Sequence, residues 1–207
     1  MKEYRFIKYK RLNKWLLSDV PTLRSGTPQS RALYTRNRHL SCPTLYIFSG
    51  LPAVGKSTLA QLLSKHLRIL YVRIDTVEQG LRDLCDLELE GEGYQLSYRI
   101  IQDNLLLGLS AISDSCNTEE FVRREWEAVA TNVGAKFVNI EVICTDPKEH
   151  ELRAIKRKST VANLKPPSWD KIKNRVYEPW SSEVITIDTA GSSVDDSLKE
   201  LLAKLGV

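Results

Sequence analysis

A chain of 207 residues, 42 % of them apolar, is long enough to bury one sizeable core, and no apolar run approaches the roughly 20 residues of a membrane span. The formal charge of +4 conceals an asymmetry: residues 1–41 hold ten basic side chains against two acidic ones, and the remainder holds twenty against twenty-four. Four scattered cysteines without a C-x-x-C pair, and three histidines outside any His/Cys cluster, argue against a disulfide framework and a structural zinc site. They point to a cytoplasmic chain whose thiols are reduced and mostly buried.

In chain order, residues 1–41 read as a basic N-terminal extension, and residues 42–207 as one domain. An arm that binds nucleic acid and an Arg-rich, acid-poor leader remain alternatives for the extension. From residue 43 onward, strand and helix patterns alternate, as in an α/β parallel sheet. The run 44–49 is short, apolar and β-rich, a buried strand. Leu59, Leu62, Leu63 and Leu67 then recur at helical spacing. A second strand, 69–74, ends at Asp75, and Thr76 caps a helix reaching about residue 84. After an acidic loop, 86–93, come a helix over 94–107 and a strand over 109–113 that ends at Asp114. A helix over 118–132 and an apolar strand over 136–144 follow. Asp146 and Pro147 open a basic helix. Residues 159–169 form a polar loop or lid, and 170–177 a short helix. The fifth strand, 184–187, runs into Asp188–Gly191, and a helix over 193–205 closes the chain.

Between the first strand and the first helix lies Gly50-Leu51-Pro52-Ala53-Val54-Gly55-Lys56-Ser57-Thr58, a complete G-x-x-x-x-G-K-[ST] phosphate-binding loop. Its glycines let the backbone curl so that successive N–H groups point at an anion. Lys56 places a point charge on the β- and γ-phosphates, the Ser57 hydroxyl is placed to hold Mg²⁺, and the helix adds its positive end. Gly50, Ala53, Val54, Gly55, Lys56, Ser57 and Thr58 are therefore the expected nucleotide-binding residues.

Ligands in such sheets bind at the carboxyl ends of the strands, where Asp75, Asp114 and Asp188 all fall. Phosphoryl transfer needs a metal, neutralised charge and an activated acceptor. Asp114 is the expected outer metal or water ligand beside Ser57, with a helix cap or a substrate contact as alternatives. Asp75 is the expected general base or anchor for an acceptor hydroxyl. Arg82, two turns further on, is a weaker site for an acceptor anion. Arg153 and Arg157, at i and i+4, share a helix face and are placed to close on a γ-phosphate within a lid of about residues 146–169. Arg175 either pairs with Glu178 or joins that lid. The backbone of the loop Asp188–Gly191, with Asp188 and Ala190, is where an adenine would rest. Trp126, Trp169 and Trp180 read as packing residues.

These segments, with Val72-Arg73-Ile74-Asp75-Thr76-Val77-Glu78, Asp114-Ser115-Cys116-Asn117 and Tyr177-Glu178-Pro179-Trp180, resemble the P-loop small-molecule kinases. The likeness is to the zeta-toxin, chloramphenicol phosphotransferase, gluconate kinase and adenylylsulfate kinase type. The resemblance implies a three-layer sandwich on a five-stranded parallel sheet of order 2-3-1-4-5. It also implies Mg²⁺-ATP as donor and a small hydroxylated molecule as acceptor. Ala53-Val54 departs from the Gly/Ser of many members, and residues 1–41 have no counterpart in the pattern. A polynucleotide 5′-hydroxyl kinase, and an ATP-binding regulatory or toxin-like module with little turnover, are the competing readings. An AAA+ motor is not expected, because little chain follows the core.

Overall fold

Thr44–Ser49 is β1, and its alternation decides the layers: Leu45 and Ile47 face one way, Tyr46 and Phe48 the other. A computed structural model describes residues 42–207; the basic segment 1–41 lies outside the described residues. β1 is followed by α1 (Lys56–Leu67), β2 (Leu70–Arg73), α2 (Ile74–Cys85), α3 (Glu92–Leu106) and β3 (Ala111–Asp114). Then come α4 (Glu120–Thr131), β4 (Lys136–Ile143), α5 (Pro147–Lys156), α6 (Trp169–Lys173), β5 (Ile185–Asp188) and α7 (Val194–Leu205). The strands form one parallel sheet of order β2-β3-β1-β4-β5, the order the resemblance implied.

Leu45, Ile47 and Val72 pack under α3 and α4, with Tyr98, Ile101, Trp126 and Val129. Phe48, Ile112, Ile140, Val142 and Ile187 pack under α1 and α7, with Leu59, Leu63 and Leu201. The sheet is buried on both faces, as parallel sheets are. Trp126 is a packing residue: fully buried, it meets Tyr98 edge-on at 4.4 Å and donates its Nε1–H to Asn117 Oδ1 at 3.2 Å.

Several boundaries differ from the sequence expectation for identifiable reasons. α2 starts at Ile74, without a Thr76 cap, because the nearly fully buried Ile74 must turn into the core directly after the extended Arg73. Asp75 therefore sits in the first turn of α2 and not at a strand end. β3 starts at Ala111, because Gly108 at φ +82° and the Leu109 N–H, bonded to Asn104 O, still close α3. α5 stops at Lys156, where Arg157 turns extended at ψ 128°. α6 ends at Lys173, short of the expected residue 177. The cysteines are corrected too: Cys42 and Cys85 are exposed and Cys116 and Cys144 partly so, with no disulfide among them.

One buried cation ties the segment after α6 to the sheet. Arg123, on α4, is 1 % exposed and donates to the carbonyls of Asn117, Glu178 and Pro179 at 2.9–3.4 Å. Its guanidinium lies over Trp180 at 4.4 Å and Tyr177 at 5.7 Å. Glu178 returns the tie, accepting from Glu120 N at 2.7 Å and donating its own N–H to Thr118 O at 2.8 Å. Arg123→Leu takes the donor from the buried Asn117 carbonyl and the part-buried Glu178 and Pro179 carbonyls and is expected to cost about 3 kcal/mol, or roughly 6–12 °C in melting temperature. A thermal unfolding curve within about 2 °C of the parent's would show that the strap does not depend on it.

Candidate phosphate-binding site

α1 begins directly at Lys56, with Gly55 at φ +96° before it and no side chain capping its first N–H groups. Those donors remain for an anion. Gly50 must be glycine: at φ +137°, a Cβ there would lie 2.2 Å from Val142 O. Ala53 also takes a positive φ, +69°, so its departure from glycine places an L side chain in the left-handed region.

Distant elements brace the loop. His150 of α5 places Nε2 2.8 Å from the Pro52 carbonyl, where it must act as donor, and its ring meets Trp169 edge-on at 5.0 Å. The Thr189 hydroxyl lies 2.8 Å from the Val54 carbonyl and accepts from Arg153 Nη1 at 2.7 Å. Val54 itself is 2 % exposed in the core, and the Gly50 N–H bonds Cys116 O at 3.1 Å. These two positions shape the loop from behind and do not line the cavity, whereas Ala53, Gly55, Lys56, Ser57 and Thr58 do.

Register sets Arg73, Asp114 and Phe48 side by side at the carboxyl ends of β2, β3 and β1. Asp114 is buried beneath the loop, with Oδ1 2.7 Å from Lys56 Nζ and Oδ2 accepting from the Tyr71 hydroxyl at 2.6 Å. Burial alone would raise its carboxyl. Lys56, Tyr71 and the Ser57 hydroxyl outweigh that and hold it below the ordinary carboxylate range. The Lys56 ammonium is likewise kept charged, with Asp114 overcoming desolvation. Both Asp114 oxygens are thus committed to side chains, and a helix-capping role is ruled out because Asp114 belongs to β3.

The site opens into a cavity of about 930 Å³ that joins the phosphate loop to the ends of β2 and β5 and to the segment after α5. It brings together Lys56, Ser57, Asp75, Arg153 and Arg157, with Arg175 also on the wall and not paired with Glu178. Asp75 is half exposed, 3.9 Å from Arg73 Nε. Arg153 is held in place, bonded to Glu149 at 2.6 Å and to Thr189 O at 2.8 Å. Arg157 follows the helix end, so the two arginines reach the cavity from a helix and a loop, not from one helical face. Asp188 and Ala190 stand apart from the cavity. The Asp188 carboxylate binds the Thr145 hydroxyl and the backbone N–H groups of Thr145 and Ala190, and Thr189 takes the place on the wall. Arg82 is spent on Glu78 at 3.3 Å, outside the cavity.

Tyr71, His150 and Thr160 were not singled out from sequence and are joined to the site only by folding. Arg73, Cys116 and Thr189 entered only inside longer segments, without a role of their own; Arg73 offered a signal, a cation two residues before Asp75. Cys116 is a wall residue whose thiol burial pushes up. Among the described residues, no cluster of three or more His, Cys, Asp or Glu forms a metal cage, and no helix is long and apolar enough to cross a membrane.

A family profile described as AAA domain matches residues 45–179. No curated protein sequence matches the chain. Among solved structures, a candidate kinase from Chloroflexus aurantiacus J-10-fl superposes with a TM-score of 0.65 at 18 % identity, over 81 % of this chain and 100 % of that one. A gluconokinase from Sinorhizobium meliloti 1021 gives 0.57 at 12 % identity, over 80 % and 93 %. The APS kinase CysC of Mycobacterium tuberculosis, solved with AMPPNP and APS, gives 0.58 at 18 % identity, over 80 % and 98 %. The chain belongs to the AAA domain family, and its fold is that of the P-loop small-molecule kinases.

Proposed function

We propose that the chain is a phosphotransferase that moves the γ-phosphate of ATP to a hydroxyl group of a small molecule. One observation carries the reading. A single cavity joins an uncapped phosphate loop to a half-exposed carboxylate, Asp75, with Arg153, Arg157 and Arg175 on the same wall. The loop N–H groups and Lys56 bind the β- and γ-phosphates, which requires Lys56 to leave Asp114. Arg153 and Arg157 neutralise charge on the transferred group and help exclude water. Asp75 orients the acceptor hydroxyl and takes its proton.

Magnesium fits the residues present. Ser57 and Asp114 offer hard oxygen donors in mutual contact, and the lack of a carboxylate cage among the described residues suits an ion held chiefly by phosphate oxygens. Ser57 would hold it directly, with Asp114 behind. When bound, the ion supplies neutralisation of charge on the β- and γ-phosphate oxygens.

The test is transfer of labelled γ-phosphate from Mg²⁺-ATP to pooled acceptors: sugars, nucleosides, nucleotide sugars, aminoglycosides, phenicols and 5′-hydroxyl RNA. Label is expected in a small-molecule pool. Label confined to RNA would replace this reading with a polynucleotide kinase, and tight ATP retention with no acceptor labelled would replace it with a regulatory module.

A further inference from the structure

We propose that the acceptor is itself an oxyanion, bound through Arg73; this rests on the phosphotransferase reading. Arg73 ends β2 and is 8 % exposed, yet it lines the cavity. Its Nη1 donates to Thr160 Oγ1 at 2.7 Å, while its buried Nε has no hydrogen-bond partner among the described residues. The closest carboxylate, Asp75, stands 3.9 Å from that nitrogen, beyond hydrogen-bond reach. A buried guanidinium without a bonded counter-ion is costly, and a bidentate oxyanion is the partner whose geometry it fits.

Position separates this anion from the donor phosphates. The phosphate loop follows β1, and β2 lies two strand places away, roughly 10 Å across the sheet. The Thr189 wall is on the opposite side, beyond β4. Arg73 is therefore out of line with the nucleotide but only two residues from Asp75. The wall is also more basic than a nucleotide requires, with eight cationic side chains against Asp75. Lys56, Arg153 and Arg157 answer the triphosphate. Arg175 is a further cation on that wall, outside any ion pair among the described residues. The ligand that fits carries a hydroxyl at Asp75 and a phosphate, sulfate or carboxylate at Arg73.

The full chain with Mg²⁺-ATP would be offered matched acceptor pools. One holds neutral sugars, polyols and nucleosides; three others hold their phosphate monoesters, sulfate esters and hydroxy acids. Label is expected in one anionic pool, at least about tenfold over the neutral pool. Arg73→Gln should raise the acceptor KM on the order of 10–100-fold with the ATP KM within about threefold, and Arg73→Lys should recover part of the loss. Label entering the neutral pool equally, or Arg73→Gln raising the ATP KM as much as the acceptor KM, would overturn the proposal. If no pool is labelled, the phosphotransferase reading fails, and the anion site is still read separately. With Mg²⁺-AMPPNP bound, inorganic phosphate or sulfate should raise the melting temperature of the parent and of Arg73→Lys, but not of Arg73→Gln. Equal behaviour of all three proteins would discard the site.

Discussion

If the proposed function holds, Lys56→Ala is expected to lower phosphate transfer by on the order of 10³-fold, because it removes the one side-chain cation of the loop proposed to receive the β- and γ-phosphates. The same substitution has a second, independent consequence without nucleotide. Asp114 is 1 % exposed, and losing the 2.7 Å contact leaves it a buried carboxylate supported only by Tyr71 and Ser57. The variant should lose about 1–3 kcal/mol at neutral pH. The pH dependence follows from the direction of the Asp114 shift. In the parent its carboxyl is depressed, so its contribution is present above the ordinary range near pH ~4 and is lost as pH falls through the folded value. In Lys56→Ala the desolvation that Lys56 had outweighed dominates, and the carboxyl rises. A raised carboxyl costs stability at neutral pH and recovers it on protonation. The gap in melting temperature between the two proteins should therefore narrow between about pH 7 and pH 4. A gap that stays constant or widens would mean that Lys56 does not hold Asp114 charged.

What could be read from sequence divides along contact range. The phosphate loop was legible because strand, glycine loop and helix are one continuous stretch, 44–67, whose chemistry is local. The strand order was legible only through resemblance, since periodicity yields strands but not their neighbours. The supports of the loop were not legible. His150 reaches Pro52 across 98 positions, and Thr189 reaches Val54 across 135. Asp114 was expected as an outer metal or water ligand beside Ser57; that its two oxygens also meet Lys56 and Tyr71 was not legible, the latter being a residue of β2 that nothing local marks. Asp188 ends a strand, as expected, but that its carboxylate binds Thr145 and its own turn could not be read locally. A position in sequence places a Cα at the site; only packing decides where the side chain goes.

Asp75→Asn is expected to reduce turnover by about 10²–10⁴-fold while leaving stability and ATP affinity nearly unchanged. The separation follows from its surroundings. The carboxylate is half exposed and its sole ion-pair contact among the described residues is Arg73 at 3.9 Å, so little folding energy depends on it. It lines the same cavity as Lys56 and Ser57 but belongs to α2, away from the phosphate loop. Asparagine keeps the shape and one hydrogen-bond acceptor but cannot take a proton. If Asp75 acts as base, the loss falls on kcat. If it only anchors the acceptor, the loss falls on the acceptor KM. An unchanged turnover number together with an unchanged acceptor KM would remove Asp75 from the reaction, and with it the carboxylate on which the hydroxyl-acceptor reading depends.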